Sequence, residues 1–170
     1  MENNFIYLDN ASTTPLSENV LNIINSTYRN YWHNPSSTYE LGIKCSTYLE
    51  KIRSKIAYIF EADPEDIIFT SGSSESTNIV FNNIYEKFKN GRVVISNVEH
   101  QATTICANKL RKHNWDIYEW TVNNDGILNI SNIENILNND TKLVSIIWGQ
   151  SEIGTIQPCL LYTSPSPRDS

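Results

Sequence analysis

The sequence of 170 residues has few cysteines, and they are Cys45, Cys106 and Cys159. Their number is odd, they lie far apart, and none has a second cysteine two or three residues away. Neither a disulfide framework nor a zinc knuckle is therefore indicated. The three histidines are also too scattered to predict a metal site by their spacing.

Basic residues are scarce as well, with 13 Lys and Arg against 19 Asp and Glu and a net charge of -6. No stretch concentrates the positive charge, which argues against a nucleic-acid or anionic-membrane surface. No apolar run approaches the length of a membrane span, and no early segment combines a basic start with an uninterrupted apolar core. We therefore expect a cytoplasmic protein whose partners are small molecules or other proteins.

Apolar strands that alternate with amphipathic helices dominate the rest of the sequence. Thr14 followed by Pro15 predicts the start of a first helix, and an apolar stripe from Tyr48 to Phe60 predicts a second. Strands are predicted at residues 67–69, 92–96, 115–120 and 143–148, with the first two buried and the third buried mainly on one face. This alternation predicts an α/β fold with a mostly parallel sheet and helices on both faces.

The stretch from Asp66 to Asn78 has the form of a strand, a small polar turn and a helix. Gly72 allows a sharp turn, and Ser73 and Ser74 offer hydroxyls and the first unpaired amides of the helix. Amide donors and the positive end of the helix dipole are suited to an anion such as a phosphate. The alternative is an ordinary connection in which a serine only caps the helix.

Polar clusters follow three of the predicted strands, at residues 72–74, 99–100 and 150–152. In open α/β sheets, ligands bind beyond the carboxyl ends of the strands. The three clusters are therefore expected to share one crevice.

The last twelve residues, 159–170, have no helical period and end in two Ser-Pro steps. We interpret them as a non-native tail, with a native disordered tail as the alternative. The predicted organisation is an N-terminal segment at 1–15, a partial ligand-binding domain at 16–158, and this tail.

Five blocks of sequence, in order, resemble the cysteine desulfurases, which belong to the class V aminotransferase family of pyridoxal-phosphate enzymes. They are YLDNASTTP (7–15), NPSS (34–37), IFTSGSSESTN (68–78), EHQA (99–102) and EIGTIQP (152–158). The resemblance implies an N-terminal fragment of the large domain of a fold-type I pyridoxal-phosphate enzyme.

The resemblance also implies roles for individual residues. Ser73 and Ser74 match the pair that holds the phosphate of pyridoxal 5'-phosphate. His100 matches the catalytic histidine that stacks on the pyridine ring and assists proton movement. Ser151 stands where the family usually has an Asn that contacts the cofactor and the substrate carboxylate, and a serine has no separate donor and acceptor atoms.

Ala11 and Asn34 lie in blocks that the resemblance assigns to substrate binding. The implied reaction of the full-length enzyme takes sulfur from L-cysteine, leaving L-alanine and a persulfide on an enzyme cysteine. That persulfide feeds iron-sulfur cluster assembly or RNA thiolation. The implied partners are a second copy of the chain in a homodimer and a sulfur-acceptor or iron-sulfur scaffold protein.

We expect the 170-residue chain itself to be inactive. No lysine or cysteine in it matches the family's cofactor-binding lysine or its sulfur-accepting cysteine. Two alternatives stay open, and the Ser151 difference makes the first plausible. One is a selenocysteine lyase or another class V enzyme, and the other is a non-catalytic scaffold with the same fold.

Overall fold

The computed structural model of the chain describes residues 6–159, apart from the side chain of Asn132. The chain divides into two compact units at the Phe69–Thr70 peptide, and each unit is described by itself. No helix within the described residues is long and apolar enough to cross a membrane.

The first unit contains two helices, α1 (Glu18–Asn30) and α2 (Glu40–Ile59), followed by a 3-10 turn at Pro64–Asp66. The helix predicted to open at Thr14 begins later, because Ser17 is the N-cap and its hydroxyl accepts from the amide of Val20.

The predicted strand at 67–69 is not a strand. Ile67 has an extended backbone, but no described strand pairs with this segment. It is instead held to α2, where Arg53 donates to the carbonyl of Ile67 and lies 4.8 Å from the ring centroid of Phe69. The side chain of Ile68 is 69% exposed. An apolar run predicts burial, but a strand also needs a partner to accept its hydrogen bonds.

The second unit is built on a sheet of three parallel strands in the order β2-β1-β3. Its elements in chain order are α3 (Ser73–Lys87), β1 (Arg92–Ser96), α4 (Gln101–Arg111), β2 (Asp116–Trp120), a 3-10 turn (Ile130–Asn132), α5 (Ile133–Ile136) and β3 (Thr141–Ser145). The predicted strand at 92–96 has the predicted bounds, while the last strand begins and ends earlier than predicted.

Strand β1 lies at the centre of the sheet and is buried on both faces. On one face, Val93 and Ile95 pack with Phe81 of α3 and Leu110 of α4. On the other face, Val94 packs with a cluster that includes residues of α5 and the 3-10 turn. The predicted α/β class, with a parallel sheet and helices on both faces, is confirmed.

Asn129 caps the 3-10 turn that precedes α5, since its side chain accepts from the amide of Ser131. Ile136 of α5 is buried in the cluster on this second face of the sheet. The short helix α5 thus lies on one face of the sheet, and the long helices α3 and α4 lie on the other.

Candidate functional site

The N-terminus of α3 is a turn that no side chain caps. Gly72 precedes it with φ 157° and ψ -179°, a backbone region that is essentially confined to glycine. A Cβ added to Gly72 would meet no atom within 4 Å, so the space around it is open. Ser73 and Ser74 are the first two residues of the helix and are both exposed. Their amides precede the first helical hydrogen bond, which runs from the amide of Ser76 to the carbonyl of Gly72.

Side chains on either side of Gly72 fix the shape of this turn. The hydroxyl of Thr70 lies 2.9 Å from that of Ser76. The carboxylate of Glu75 accepts from the amide of Ser71 at 2.6 Å and from its hydroxyl at 2.7 Å. The bond from the Ser71 amide, and to a smaller extent the bond from its hydroxyl, hold the pKa of Glu75 below its ordinary value. Glu75 is therefore a charged group that is directed back towards Ser71.

The N-terminus of α4 is capped by a histidine. His100 has an extended backbone, and its Nδ1 accepts from the amide of Ala102 at 3.1 Å. An Nδ1 that accepts a hydrogen bond carries no proton, so in the neutral ring the proton is on Nε2. The side chain is exposed, which leaves Nε2 accessible.

These two helix N-termini lie at the same edge of the sheet. Helix α4 follows the carboxyl end of β1 and packs back along it, and α3 leads into the start of β1 on the same face. Both helices therefore run antiparallel to the strands. A cavity of about 260 Å³ agrees with this arrangement, since Ser76 from the first turn of α3 and Ser145 from the end of β3 both line it. The structure thus brings Ser73, Ser74 and His100 to the carboxyl edge of the sheet and to one face.

Ser151 lies in a tight hairpin that follows β3, which we call the 149–156 hairpin. Gly149 and Ile156 form an antiparallel bridge across it. The side-chain oxygen of Gln150 accepts from the amides of Glu152 at 2.6 Å and Ile153 at 2.9 Å, which fixes the tip. Ser151 is exposed at that tip, also beyond the carboxyl end of a strand.

Gln157 anchors this hairpin and was not singled out from the sequence. It is 1% exposed, and its side chain donates to the carbonyl of Gly126 at 2.6 Å and accepts from the amide of Leu128 at 3.1 Å. The Gln-Pro pair of the motif was visible in the sequence, but the glutamine's partners lie some thirty residues earlier.

Glu99 is a second residue that the sequence analysis left without a role. Its Oε1 accepts from the hydroxyl of Ser96 at 2.6 Å and also from the amide of Ile147. It therefore links the carboxyl end of β1 to the segment that follows β3.

Ala11 and Asn34 belong to the first unit. Ala11 is exposed in a turn whose amide-carbonyl bond joins Ser12 to Asp9. Asn34 is exposed and accepts from the amide of Ser36 at 2.9 Å. Their substrate contacts stay a prediction.

Lysine is missing from the carboxyl edge of the sheet within described residues 70–159. Lys142 lies near the start of β3 and donates to the carbonyl of Asn139. The other lysines of this range lie at or just after the C-terminal ends of α3 and α4, and these are Lys87, Lys89, Lys109 and Lys112. All of them are thus at the opposite end of the unit. Residues 6–159 also hold no group of three or more His, Cys, Asp or Glu that could bind a metal ion.

Comparison with known proteins identifies the family. The aminotransferase class-V family matches residues 6–161. The chain belongs to the class V aminotransferase family. The resemblance to cysteine desulfurases that the motifs indicated is also confirmed by the relatives that follow.

Two curated cysteine desulfurases have the same sequence identity to this chain. A mitochondrial cysteine desulfurase of Eremothecium gossypii is 34% identical over 157 residues, covering 90% of this chain and 32% of that protein. A mitosomal cysteine desulfurase of Encephalitozoon cuniculi is 34% identical over 158 residues, covering 90% and 37%. The chain therefore spans about a third of the length of these relatives.

Solved structures agree with the fold. A NifS-like protein superposes with a TM-score of 0.86 at 31% identity, covering 90% of this chain and 43% of that one. A structure described as SspA in complex with cysteine superposes with a TM-score of 0.81 at 26% identity, covering 89% and 44%.

The cytoplasmic location expected from the sequence is wrong on this comparison, because the two curated relatives above are mitochondrial and mitosomal. The expectation rested on composition and on the lack of a recognisable leader. Organelle addresses are carried by separate segments, so the composition of a folded domain does not report its compartment.

Proposed function

We propose that this chain forms part of the pyridoxal-phosphate-binding domain of a cysteine desulfurase. The complete enzyme converts L-cysteine to L-alanine and transfers the sulfur to an enzyme cysteine as a persulfide. The observation that carries the proposal is the pairing of two helix N-termini at one sheet edge. One has no side-chain cap, and the other is capped by an exposed histidine.

The turn before α3 is suited to a phosphate group. The amides and hydroxyls of Ser73 and Ser74 provide four donors within one helical turn, and the helix dipole favours negative charge there. Glu75 is charged in the same turn, but its carboxylate is occupied by Ser71. The donors of the two serines are therefore not used by this carboxylate.

His100 is suited to the ring of the cofactor. When bound, pyridoxal phosphate supplies an electron sink for bonds that break at the substrate's α-carbon. Because Nδ1 of His100 is engaged by Ala102, the proton that His100 holds or gives up is at Nε2. Ser151 provides one hydroxyl for the ring oxygen or the substrate carboxylate.

Partners follow from the same assignment. We propose that the complete enzyme is a homodimer and passes sulfur to an acceptor protein, with iron-sulfur cluster assembly or thiolation as the destination. Ala11 and Asn34 are proposed substrate contacts.

Ser151 favours one second candidate, a selenocysteine lyase or another class V enzyme. An Asn side chain both donates and accepts through separate atoms, whereas a Ser hydroxyl uses a single oxygen. The hydrogen bonds to the substrate carboxylate should therefore differ from those that an Asn makes. Replacing Ser151 with Asn in the complete enzyme is expected to shift the ratio of kcat/KM values for cysteine and selenocysteine, and an unchanged ratio contradicts this candidate.

Binding of pyridoxine 5'-phosphate tests the site in this chain. That compound has the ring and the phosphate but no aldehyde, so it does not react with surface lysines. We expect phosphorus NMR to detect binding, and the double change Ser73→Ala with Ser74→Ala to weaken it about tenfold or more, since hydrogen bonds to charged groups contribute roughly 1.5–3 kcal/mol each.

Ser131→Ala is the matched control, because Ser131 is an exposed serine of the same unit at the 3-10 turn. It should leave binding unchanged. A wild-type chain that does not bind the compound, or a double variant that binds as well as the control, overturns the proposed function.

A sulfide-release assay tests the predicted inactivity of this chain. Since every lysine of described residues 70–159 lies away from the carboxyl edge, we expect no turnover of L-cysteine with added pyridoxal phosphate. The assay includes a thiol reductant, which reduces the transferred sulfur to sulfide. Release of stoichiometric alanine and sulfide by the 170-residue chain under these conditions contradicts this prediction.

A further inference from the structure

Glu99 joins the two loops of the candidate site by a single oxygen atom. Its Oε1 accepts from the hydroxyl of Ser96 and from the amide of Ile147, 48 residues away in the sequence. Ser96 is the last residue of β1 and is 1% exposed. Hydrogen bonds to a carboxylate are stronger than bonds between neutral groups, and more so away from water. The same oxygen thus connects the end of β1 to the segment that follows β3.

The two linked segments carry different candidate residues. Glu99 is followed directly by His100, whose own Nδ1 is held by Ala102. Ile147 leads within four residues to Ser151, at the tip of the 149–156 hairpin. The Gly149–Ile156 bridge and the bonds from Glu152 and Ile153 to Gln150 hold the hairpin together, so we expect a shift at Ile147 to displace Ser151.

The other side of β1 has a comparable link that leads to no candidate residue. Asn97 donates its amide to the carbonyl of Trp120 at 2.9 Å, and its side chain accepts from the amide of Val122 at 3.1 Å. Asn97 thus joins β1 to the end of β2, as Glu99 joins β1 to the segment after β3. Comparing variants of Glu99 and Asn97 therefore separates an effect on the position of the candidate residues from a general effect on the stability of the chain.

We propose that Glu99 is a positioning residue that sets the separation between His100 and Ser151. It does so by holding the turn before α4 against the segment that precedes the 149–156 hairpin. The inference rests on the proposed function, since it concerns the two residues that are assigned to the cofactor ring.

Two probes separate the ring from the phosphate. Inorganic phosphate uses only the turn before α3, whereas pyridoxine 5'-phosphate also requires the space between His100 and Ser151. The dissociation constant of inorganic phosphate divided by that of pyridoxine 5'-phosphate measures how much the ring contributes to binding. In Glu99→Ala we expect this ratio to fall about tenfold, which corresponds to about 1.4 kcal/mol, with binding of inorganic phosphate unchanged.

Three further variants control the measurement. Glu99→Gln keeps an oxygen acceptor at the same reach and should retain the wild-type ratio. Glu99→Asp keeps the charge but is one methylene shorter, so it should behave like Glu99→Ala. If Glu99→Ala does not fold, Glu99→Asp is measured in its place. Asn97→Ala removes the link to Val122 and should retain the wild-type ratio even where it lowers the stability of the chain.

The outcomes distinguish the inference from the proposed function. If the wild-type chain binds pyridoxine 5'-phosphate no more tightly than inorganic phosphate, the assignment of the ring site is wrong. The ligand-free spectrum then decides the role of Glu99. In that spectrum the Ser151 amide and the His100 ring should shift in Glu99→Ala and Glu99→Asp but not in Glu99→Gln or Asn97→Ala. A ratio or spectrum that changes equally in Asn97→Ala, or not at all in Glu99→Ala, overturns the positioning role.

Discussion

The two compact units of the chain use apolar side chains in different ways. In the first, α1 has no buried residue, and α2 buries only Gly42, Cys45 and Ala57. In the second, apolar residues are buried on both faces of the sheet. The apolar residues of α1 range from 37% exposed at Leu21 to 78% exposed at Tyr28.

The difference follows from the elements that each unit contains. A sheet whose central strand is buried on both faces lets helices cover it from two sides, which makes two layers of contact. Within described residues 6–69, helices α1 and α2 each offer one apolar stripe and have no sheet to cover. The second unit therefore supports its candidate site residues on a packed scaffold, while Ala11 and Asn34 are on exposed turns of the first.

Ile95→Ala should produce the largest loss of stability. Ile95 is 2% exposed on the central strand and packs between α3 and α4, so its truncation removes buried methyl groups and leaves a cavity. We expect a loss of about 2–5 kcal/mol in the free energy of unfolding. Urea unfolding followed by fluorescence measures it in the second unit, where Trp115 and Trp120 are buried.

Hydrogen exchange in the first unit provides the control for this variant. Amides of α1 should exchange at the same rate in Ile95→Ala and in the wild type, because the lost contacts are internal to the second unit. A loss below about 1 kcal/mol would contradict the view that the sheet forms the stable core.

Gln157→Ala should have the next largest effect. It leaves the carbonyl of Gly126 and the amide of Leu128 without their side-chain partner at a buried position. Such unsatisfied groups cost about 1–3 kcal/mol. Gln101→Ala, an exposed glutamine at the start of α4, should stay within about 0.5 kcal/mol of wild type by the same urea measurement. Equal losses in the two variants would show that the hairpin anchor contributes nothing.

The elements that sequence analysis predicted well are those with local signals. The run Arg92–Ser96 was predicted with its observed bounds because β-branched residues without alternation indicate a strand buried on both faces. The segment at 67–69 carries the same kind of signal, yet it has no strand partner among the described residues and is held by Arg53 instead. Pairing is a tertiary property, and a three-residue run contains no information about it.

The candidate site divides in the same way. The turn at Gly72 and the cap at His100 depend on neighbouring residues, and both were visible as strand-to-helix connections. Glu99 and Gln157 have partners 48 and 31 residues away, so no local pattern could assign their contacts. The family motifs contained both residues without giving either a physical role.

Gly72→Ala sharpens the comparison at the first turn of the second unit. Space is not limiting, since a Cβ at Gly72 meets nothing within 4 Å, but φ of 157° is strained for any residue with a side chain. We expect a loss of about 1–2 kcal/mol. Gly149→Ala is the matched control, because its added Cβ also meets nothing and its φ lies outside the strained range. Chemical denaturation of both should show the loss only at Gly72, and a similar loss at Gly149 would attribute it to something other than backbone strain.

Ile24→Ala should have the smallest effect and tests the first unit most directly. Ile24 is 49% exposed on α1, and alanine has the higher helix propensity, so the lost contacts and the propensity gain nearly cancel. We expect a change within about 0.5 kcal/mol, as for other exposed positions. Hydrogen exchange of the α1 amides, measured at two protein concentrations, checks this. A larger loss of stability that depends on protein concentration would mean that a second copy covers this helix face in solution. The difference in burial between the two units would then hold only for the isolated chain.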